Sequence, residues 1–111
     1  MNQLELNDFF AKHEFIEKTI SQLIKDFNRC GWEVEFELNA LLPVKEDLTN
    51  QISSCLIRLS GTELQQFIYT VDLQENKFHN AVTMNDDFKT LANEILKREA
   101  LKVFIRSNYG E

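Results

Sequence analysis

The sequence contains little cysteine, proline or glycine: two cysteines, one proline and three glycines in 111 residues. A cysteine pair in a chain of ordinary apolar content argues against a disulfide-stapled secreted scaffold, so Cys30 and Cys55 are predicted to be reduced, buried side chains. Scarce glycine excludes a glycine-rich phosphate-binding loop. Few tight turns are expected, while nine phenylalanines supply bulky side chains for one core.

Long apolar runs are also missing. No stretch approaches the ~20 apolar residues of a membrane span, and residues 1–5 lack the basic and apolar regions of a secretion signal. Neither membrane insertion nor secretion is expected, and the chain is predicted to be cytoplasmic. Its length fits a single domain, residues 1–111, and its 43% hydrophobic content is too high for intrinsic disorder.

Motifs of catalysis and metal binding are absent as well. The sequence has no Gly-x-Ser-x-Gly, no His-Glu-x-x-His and no calcium-loop pattern. His13 and His79 have no Cys or His at metal-ligand spacing, and Cys55 is predicted to be a buried, inert thiol. The prediction is therefore a protein that is not an enzyme and has no cofactor or metal. A general base formed by His79 and Asp72 across a turn is a less favoured alternative.

The strongest periodic pattern predicts a helix from Asn7 to Arg29, with Asn7 as N-cap and Gly31 as C-cap. Its apolar residues recur at three- and four-residue steps, and they are Ile16, Ile20, Leu23, Ile24 and Phe27. A second helix is predicted to start at Asn85 as N-cap, with two acidic residues in its first turn. Its end stays open, because residues 101–106 also alternate as a short strand would.

Between these helices the sequence predicts an antiparallel sheet. Residues 32–38 alternate strictly, with four large apolar residues on one face and three glutamates on the other, as in a half-buried strand. Residues 39–51 are predicted to be a long connection with room for a turn of helix. Residues 52–60 and 64–73 are predicted to form a hairpin across Gly61, and residues 78–84 a fourth strand. The expected architecture is α+β in two layers, helix-strand-strand-strand(-strand)-helix, with both helices on one face of the sheet.

Charge is distributed unevenly along the chain. The net charge is −6, yet residues 30–87 hold ten acidic and three basic residues, a balance of −7, and the remainder sums to +1. An acidic surface repels nucleic acid and anionic membranes and attracts basic proteins. The residues predicted to bind a partner are Glu33, Glu35, Glu37, Glu46, Asp47, Asp72 and Glu75. A solvated strand face without function fits the three glutamates equally well.

Small size, acidity and missing catalytic motifs favour a binding protein that covers a basic partner surface. An immunity protein that inhibits a cationic nuclease toxin would have these properties. The alternative is a secretion chaperone or adaptor that holds an extended segment of a client protein. That alternative predicts a homodimer with an apolar patch near Ile68 on the outer sheet face. The sequence does not determine the oligomeric state or the strand order.

Overall fold

The computed structural model describes residues 12–109, with side chains described to residue 107, and within that range it contains five helices and no strand. The helices are α1 (His13–Arg29), α2 (Val44–Ile57), α3 (Gly61–Val71), α4 (Glu75–Val82) and α5 (Lys89–Tyr109). The predicted α+β fold with an antiparallel sheet is therefore wrong, and the described chain is an all-helical bundle.

Helix α5 lies at the centre and packs against each of the other four helices. Its buried apolar residues recur at three- and four-residue steps, and they are Leu91, Ala92, Ile95, Leu96, Ala100 and Val103. The question left open for residues 101–106 is thereby answered, because this stretch continues the helix. The predicted N-cap Asn85 is not the cap: the Asp86 carboxylate accepts a hydrogen bond from Thr90 N at 3.1 Å.

Helix α3 replaces the predicted strand at residues 64–73. Phe67, Ile68 and Val71 are buried, whereas Tyr69 is 87% exposed. A strand would place Phe67 and Tyr69 on the same face, but a helix separates them. Ser60 and Glu63 form a capping box, since each side chain accepts a hydrogen bond from the backbone N–H of the other. This Ser-x-x-Glu pattern favours a helix start, so the predicted hairpin is wrong.

Helices α2 and α4 replace the predicted strands at residues 52–60 and 78–84. In α2 the side chains of Leu48, Ile52 and Leu56 are fully buried at four-residue steps, while Ile57 is 54% exposed. The predicted connection at residues 39–51 is therefore correct only as far as Pro43, after which α2 begins. Residues 78–84, predicted to be a strand, lie mostly in α4, which buries Ala81 against the core.

Helix α1 is confirmed from His13 to Arg29, and its predicted N-cap Asn7 lies outside the described residues. At its C-terminal end Gly31 adopts a φ of 86°, the left-handed conformation that glycine accommodates readily. Gly31 N donates to Asn28 O and Trp32 N donates to Phe27 O, each at 3.0 Å. This Schellman motif ends the helix and directs the chain into the next segment.

Candidate functional site

The candidate site is built on residues 32–38, which we name the acidic segment. Within residues 12–109 it pairs with no strand, and it lies between α1 and α2 in the chain. Its apolar side chains Trp32, Val34 and Phe36 are half-buried against the core, while the glutamates are exposed, and these are Glu33, Glu35 and Glu37. The predicted alternation of exposure is confirmed for residues 32–37, whereas Leu38, predicted on the apolar face, is exposed, and the predicted pairing with neighbouring strands is wrong.

The start of the acidic segment is fixed by Trp32. Its indole Nε1 donates a hydrogen bond to Glu63 Oε2 at 3.1 Å, and the Arg58 guanidinium lies 6.0 Å from the centre of its ring. The backbone hydrogen bond from Ser60 and the indole N–H lower the pKa of the Glu63 carboxyl, so Glu63 accepts as an anion. Farther along, the Phe36 ring centre lies 6.3 Å from that of Phe27. The segment is therefore held firmly against the helices.

The end of the acidic segment is held by two side chains of α2. Gln51 Oε1 accepts from Glu37 N at 3.1 Å and Gln51 Nε2 donates to Glu37 O at 2.9 Å. Asp47 accepts from Asn39 N at 2.7 Å. Asp47 and Gln51 are four residues apart on a helix, a rise of ~6 Å, and their partners Asn39 and Glu37 are two residues apart, which is ~6.7 Å in an extended chain. The two lengths match and the order is reversed, so the acidic segment is extended and runs antiparallel to α2. The Gln51 side chain thus bonds the backbone as a neighbouring strand would.

The two edges of the acidic segment are not equivalent. In an extended chain, the backbone groups of successive residues point to opposite edges. The backbone N–H groups of Glu37 and Asn39 bond side chains of α2, whereas the backbone N–H of Trp32 bonds Phe27 of α1. Val34, Phe36 and Leu38 share the orientation of Trp32, and their backbone N–H and C=O groups make no hydrogen bond with any described residue. We name these backbone groups the free edge. On the α2 side Glu37 is bonded, while the backbone groups of Glu33 and Glu35 have no described partner.

An open groove of about 650 Å³ lies beside this part of the chain. Ile24 and Asn28 of α1 form one wall, and residues 31–35 form the other. The charged residues in its lining are Glu33 and Glu35. The groove therefore combines apolar surface, unpaired backbone and negative charge.

The outward glutamates of the acidic segment have no ion-pair partner among the described residues. Glu46 is likewise exposed and unpaired there, and it stands in the first turn of α2. Its neighbour Asp47 bonds Asn39, which places Glu46 near the end of the acidic segment. Four of the seven residues predicted to bind a partner therefore keep accessible, unneutralised charge in one region.

The other three predicted residues are engaged within the protein. Asp47 is buried and bonds Asn39 and Gln51, which makes it a positioning residue. Asp72 pairs with Arg98 at 2.9 Å, and Glu75 lies 3.4 Å from His79. No described hydrogen bond or ion pair joins Asp72 or Glu75 to the acidic segment. The structure also pairs His79 with Glu75 instead of Asp72, so the alternative general base is not formed.

A buried polar cluster between α1 and α5 was not predicted. Lys102 Nζ lies 2.7 Å from Asp26 Oδ2 and 2.6 Å from Glu99 Oε1, and both carboxyls are buried. One ammonium group cannot balance two buried carboxylates, and burial, followed by the contact with Asp26, raises the pKa of Glu99 to about 9. Glu99 is therefore protonated at neutral pH. In the sequence, burial of Glu99 could have been predicted from its position on the apolar stripe of α5, one turn after Leu96.

The contacts of the buried polar cluster connect α1 to α5 and do not form a reactive site. Gln22 Nε2 donates to Asp26 Oδ1 at 3.1 Å, and Arg106 donates to Gln22 Oε1 at 2.8 Å. Gln22 and Arg106 line an open groove between the two helices, whereas Glu99 does not contact it. The arrangement supports a structural role, in which polar groups fix how the two helices pack.

Cys30 and Cys55 are free thiols, each half-buried, and burial raises the pKa of the Cys55 thiol. Within residues 12–109, no three His, Cys, Asp or Glu side chains converge as a metal site would require. None of the described helices has the length and apolar character needed to cross a bilayer.

Comparison of the chain with protein-family models, curated proteins and solved structures found no match.

Proposed function

We propose that the protein binds a basic protein partner through the acidic segment and blocks the surface that it covers. An immunity protein that inhibits a cationic nuclease toxin in the cytoplasm is the form that fits best. The row of outward carboxylates at Glu33, Glu35 and Glu37, with no base among the described residues paired to them, supports this function. No described contact within the protein uses these three side chains.

Spacing and solvation favour such binding. Same-face residues of an extended chain repeat at ~7 Å, which is within the Debye length of ~8 Å at physiological salt, so the three charges act on a partner together. Exposed carboxylates of this kind accelerate association and select among partners more than they raise affinity. Nucleic acid and anionic membrane would be repelled.

A chaperone or adaptor that holds an extended client segment is the second candidate. Its predicted apolar patch is not formed, since Ile68 is buried in the helical core. Instead, the chain just after the acidic segment exposes apolar side chains, with Leu41 90% and Leu42 41% exposed. Such leucines could contact a client beside the acidic row.

The proposed function is tested by replacing Glu33, Glu35 and Glu37 together with glutamine. We expect binding to a panel of basic nucleases, measured by surface plasmon resonance at 50 mM salt, to weaken at least about tenfold, mainly through slower association. The unfolding temperature should change by less than about 2 °C, because exposed charges contribute little to folding.

A matched control replaces Glu14, Glu17 and Glu75 with glutamine, which changes the net charge equally but away from the acidic segment. It should bind almost as the unaltered protein does. An equal loss in both triple variants would mean that net charge alone attracts the partner, and the acidic segment would not be the site. Absence of binding to every basic nuclease tested would contradict the inhibitor function.

A further inference from the structure

We infer that the basic partner binds by adding an extended strand to the free edge of the acidic segment. This inference rests on the proposed function and specifies the form of the partner. Val34, Phe36 and Leu38 each offer one N–H and one C=O without a partner in the described structure. Unpaired strand edges are the template for strand addition, in which backbone hydrogen bonds supply affinity.

The acidic segment is already shaped for such pairing. Gln51 and Asp47 hold its other edge, and Trp32 fixes its start. Little conformational freedom is left to be lost on binding, which favours affinity. The Gln51 side chain satisfies the backbone of Glu37 on the α2 side, so the free edge carries the longer run of unpaired backbone groups.

The side chains around the free edge define the sequence of the partner strand. Alternate residues of an added strand would stand ~5 Å from the glutamates on the outer face, where lysine or arginine would pair with them. The intervening residues would point into the groove, against Ile24 and Val34. The structure therefore favours a segment in which basic and apolar residues alternate.

A second copy of this chain is a poorer occupant of the same edge. Pairing two acidic segments would bring Glu33, Glu35 and Glu37 close to the same residues of the other copy. Like charges on neighbouring strands are destabilising, and charged edges are a known protection against self-association. The charge of the groove thus selects a cationic strand.

The inference is tested with a synthetic peptide of alternating lysine and valine, seven residues long, and two N-methylated versions of it. One version carries methyl groups on the valine nitrogens and the other on the lysine nitrogens. In antiparallel pairing the valine N–H groups face the free edge, so valine methylation should weaken binding at least about tenfold and lysine methylation only slightly. The reverse pattern would show parallel pairing and also support strand addition.

If the valine-methylated and lysine-methylated peptides bound with equal affinity, or if neither bound, strand addition would be overturned. The proposed function would stand in that case, provided that the triple glutamine variant still loses nuclease binding.

Hydrogen exchange gives an independent reading on the full chain. The amides of Val34, Phe36 and Leu38 should exchange fast in the free protein and at least about tenfold more slowly with the unmethylated peptide, while the Glu37 amide changes little. Slow exchange of all three before the peptide is added would mean that the edge is already occupied, and would overturn the inference.

Discussion

The buried polar cluster between α1 and α5 and the acidic segment handle negative charge in opposite ways. In the buried polar cluster, two carboxyls share the ammonium group of Lys102, and Glu99 keeps its proton. On the acidic segment, three glutamates face solvent with no described base paired to them. Water stabilises an exposed carboxylate, whereas a buried one must be paired or neutral. The buried polar cluster therefore contributes to the packing of α1 against α5, whereas the glutamates of the acidic segment remain free to bind a partner.

The largest effect is expected from Lys102→Met. This substitution removes the cation from the buried polar cluster and leaves Asp26 without its ion-pair partner, which should lower the free energy of unfolding by about 3 kcal/mol or more at pH 7. Denaturant unfolding measures it. Lys18→Met is the control, because it breaks an exposed pair with Glu14 and should cost less than about 0.5 kcal/mol. Similar costs for both variants would remove the contrast between buried and exposed charge.

The next effect concerns pH. Folded Glu99 keeps its proton to about pH 9, while the unfolded residue loses it near 4.5, so between these values the unfolded chain binds fewer protons. Stability should therefore fall as pH rises through this range, by at most about 1.4 kcal/mol per pH unit. Glu99→Gln removes the titration and should flatten the curve. Unfolding free energies at pH 5, 7 and 9 test this.

Glu94→Gln serves as the control for the pH experiment, because Glu94 lies on the same helix but is partly exposed beside Lys97. Its pH curve should stay close to that of the unaltered protein. If Glu99→Gln left the slope between pH 5 and 9 unchanged, the buried polar cluster would not hold the proton that its geometry implies.

The smallest effect is expected from Gln51→Ala, which tests the attachment of the acidic segment. Two partly exposed hydrogen bonds to Glu37 are lost, so stability should fall by about 1 kcal/mol, and the Glu37 amide should exchange several-fold faster. Asn50→Ala is the control on the same helix. Unchanged exchange at Glu37 would show that packing of Phe36, and not Gln51, holds the segment.

The spacing of apolar residues predicted the structure correctly where it fitted only one period, that of a helix or that of a strand. Helix α1 and the alternation of residues 32–37 were predicted for this reason, and with them the exposure of the three glutamates. Residues 64–73 fit both periods: Phe67, Tyr69, Val71 alternate, yet Leu64, Phe67 and Val71 also follow a helical stripe. Only packing against α5 decides between these readings. The capping box at Ser60 was the one local signal that favoured the helix.

The rest of the candidate site depended on contacts between residues distant in sequence. Arg98 neutralises Asp72 from 26 positions away, and Lys102 meets Asp26 from 76 positions away. No spacing rule within one helix or strand predicts such pairs. The free edge was also hidden from sequence reasoning, because the alternation that predicted a strand carried no information about whether neighbouring strands exist.

The central place of α5 has a consequence for biosynthesis. The other four helices precede it in chain order, so they leave the ribosome before the surface on which they pack has been made. Until then, the helix faces that pack on α5 lack their final cover, and the nascent chain is prone to associate with other chains. The five helices should therefore reach their native packing only once residues 89–109 have emerged.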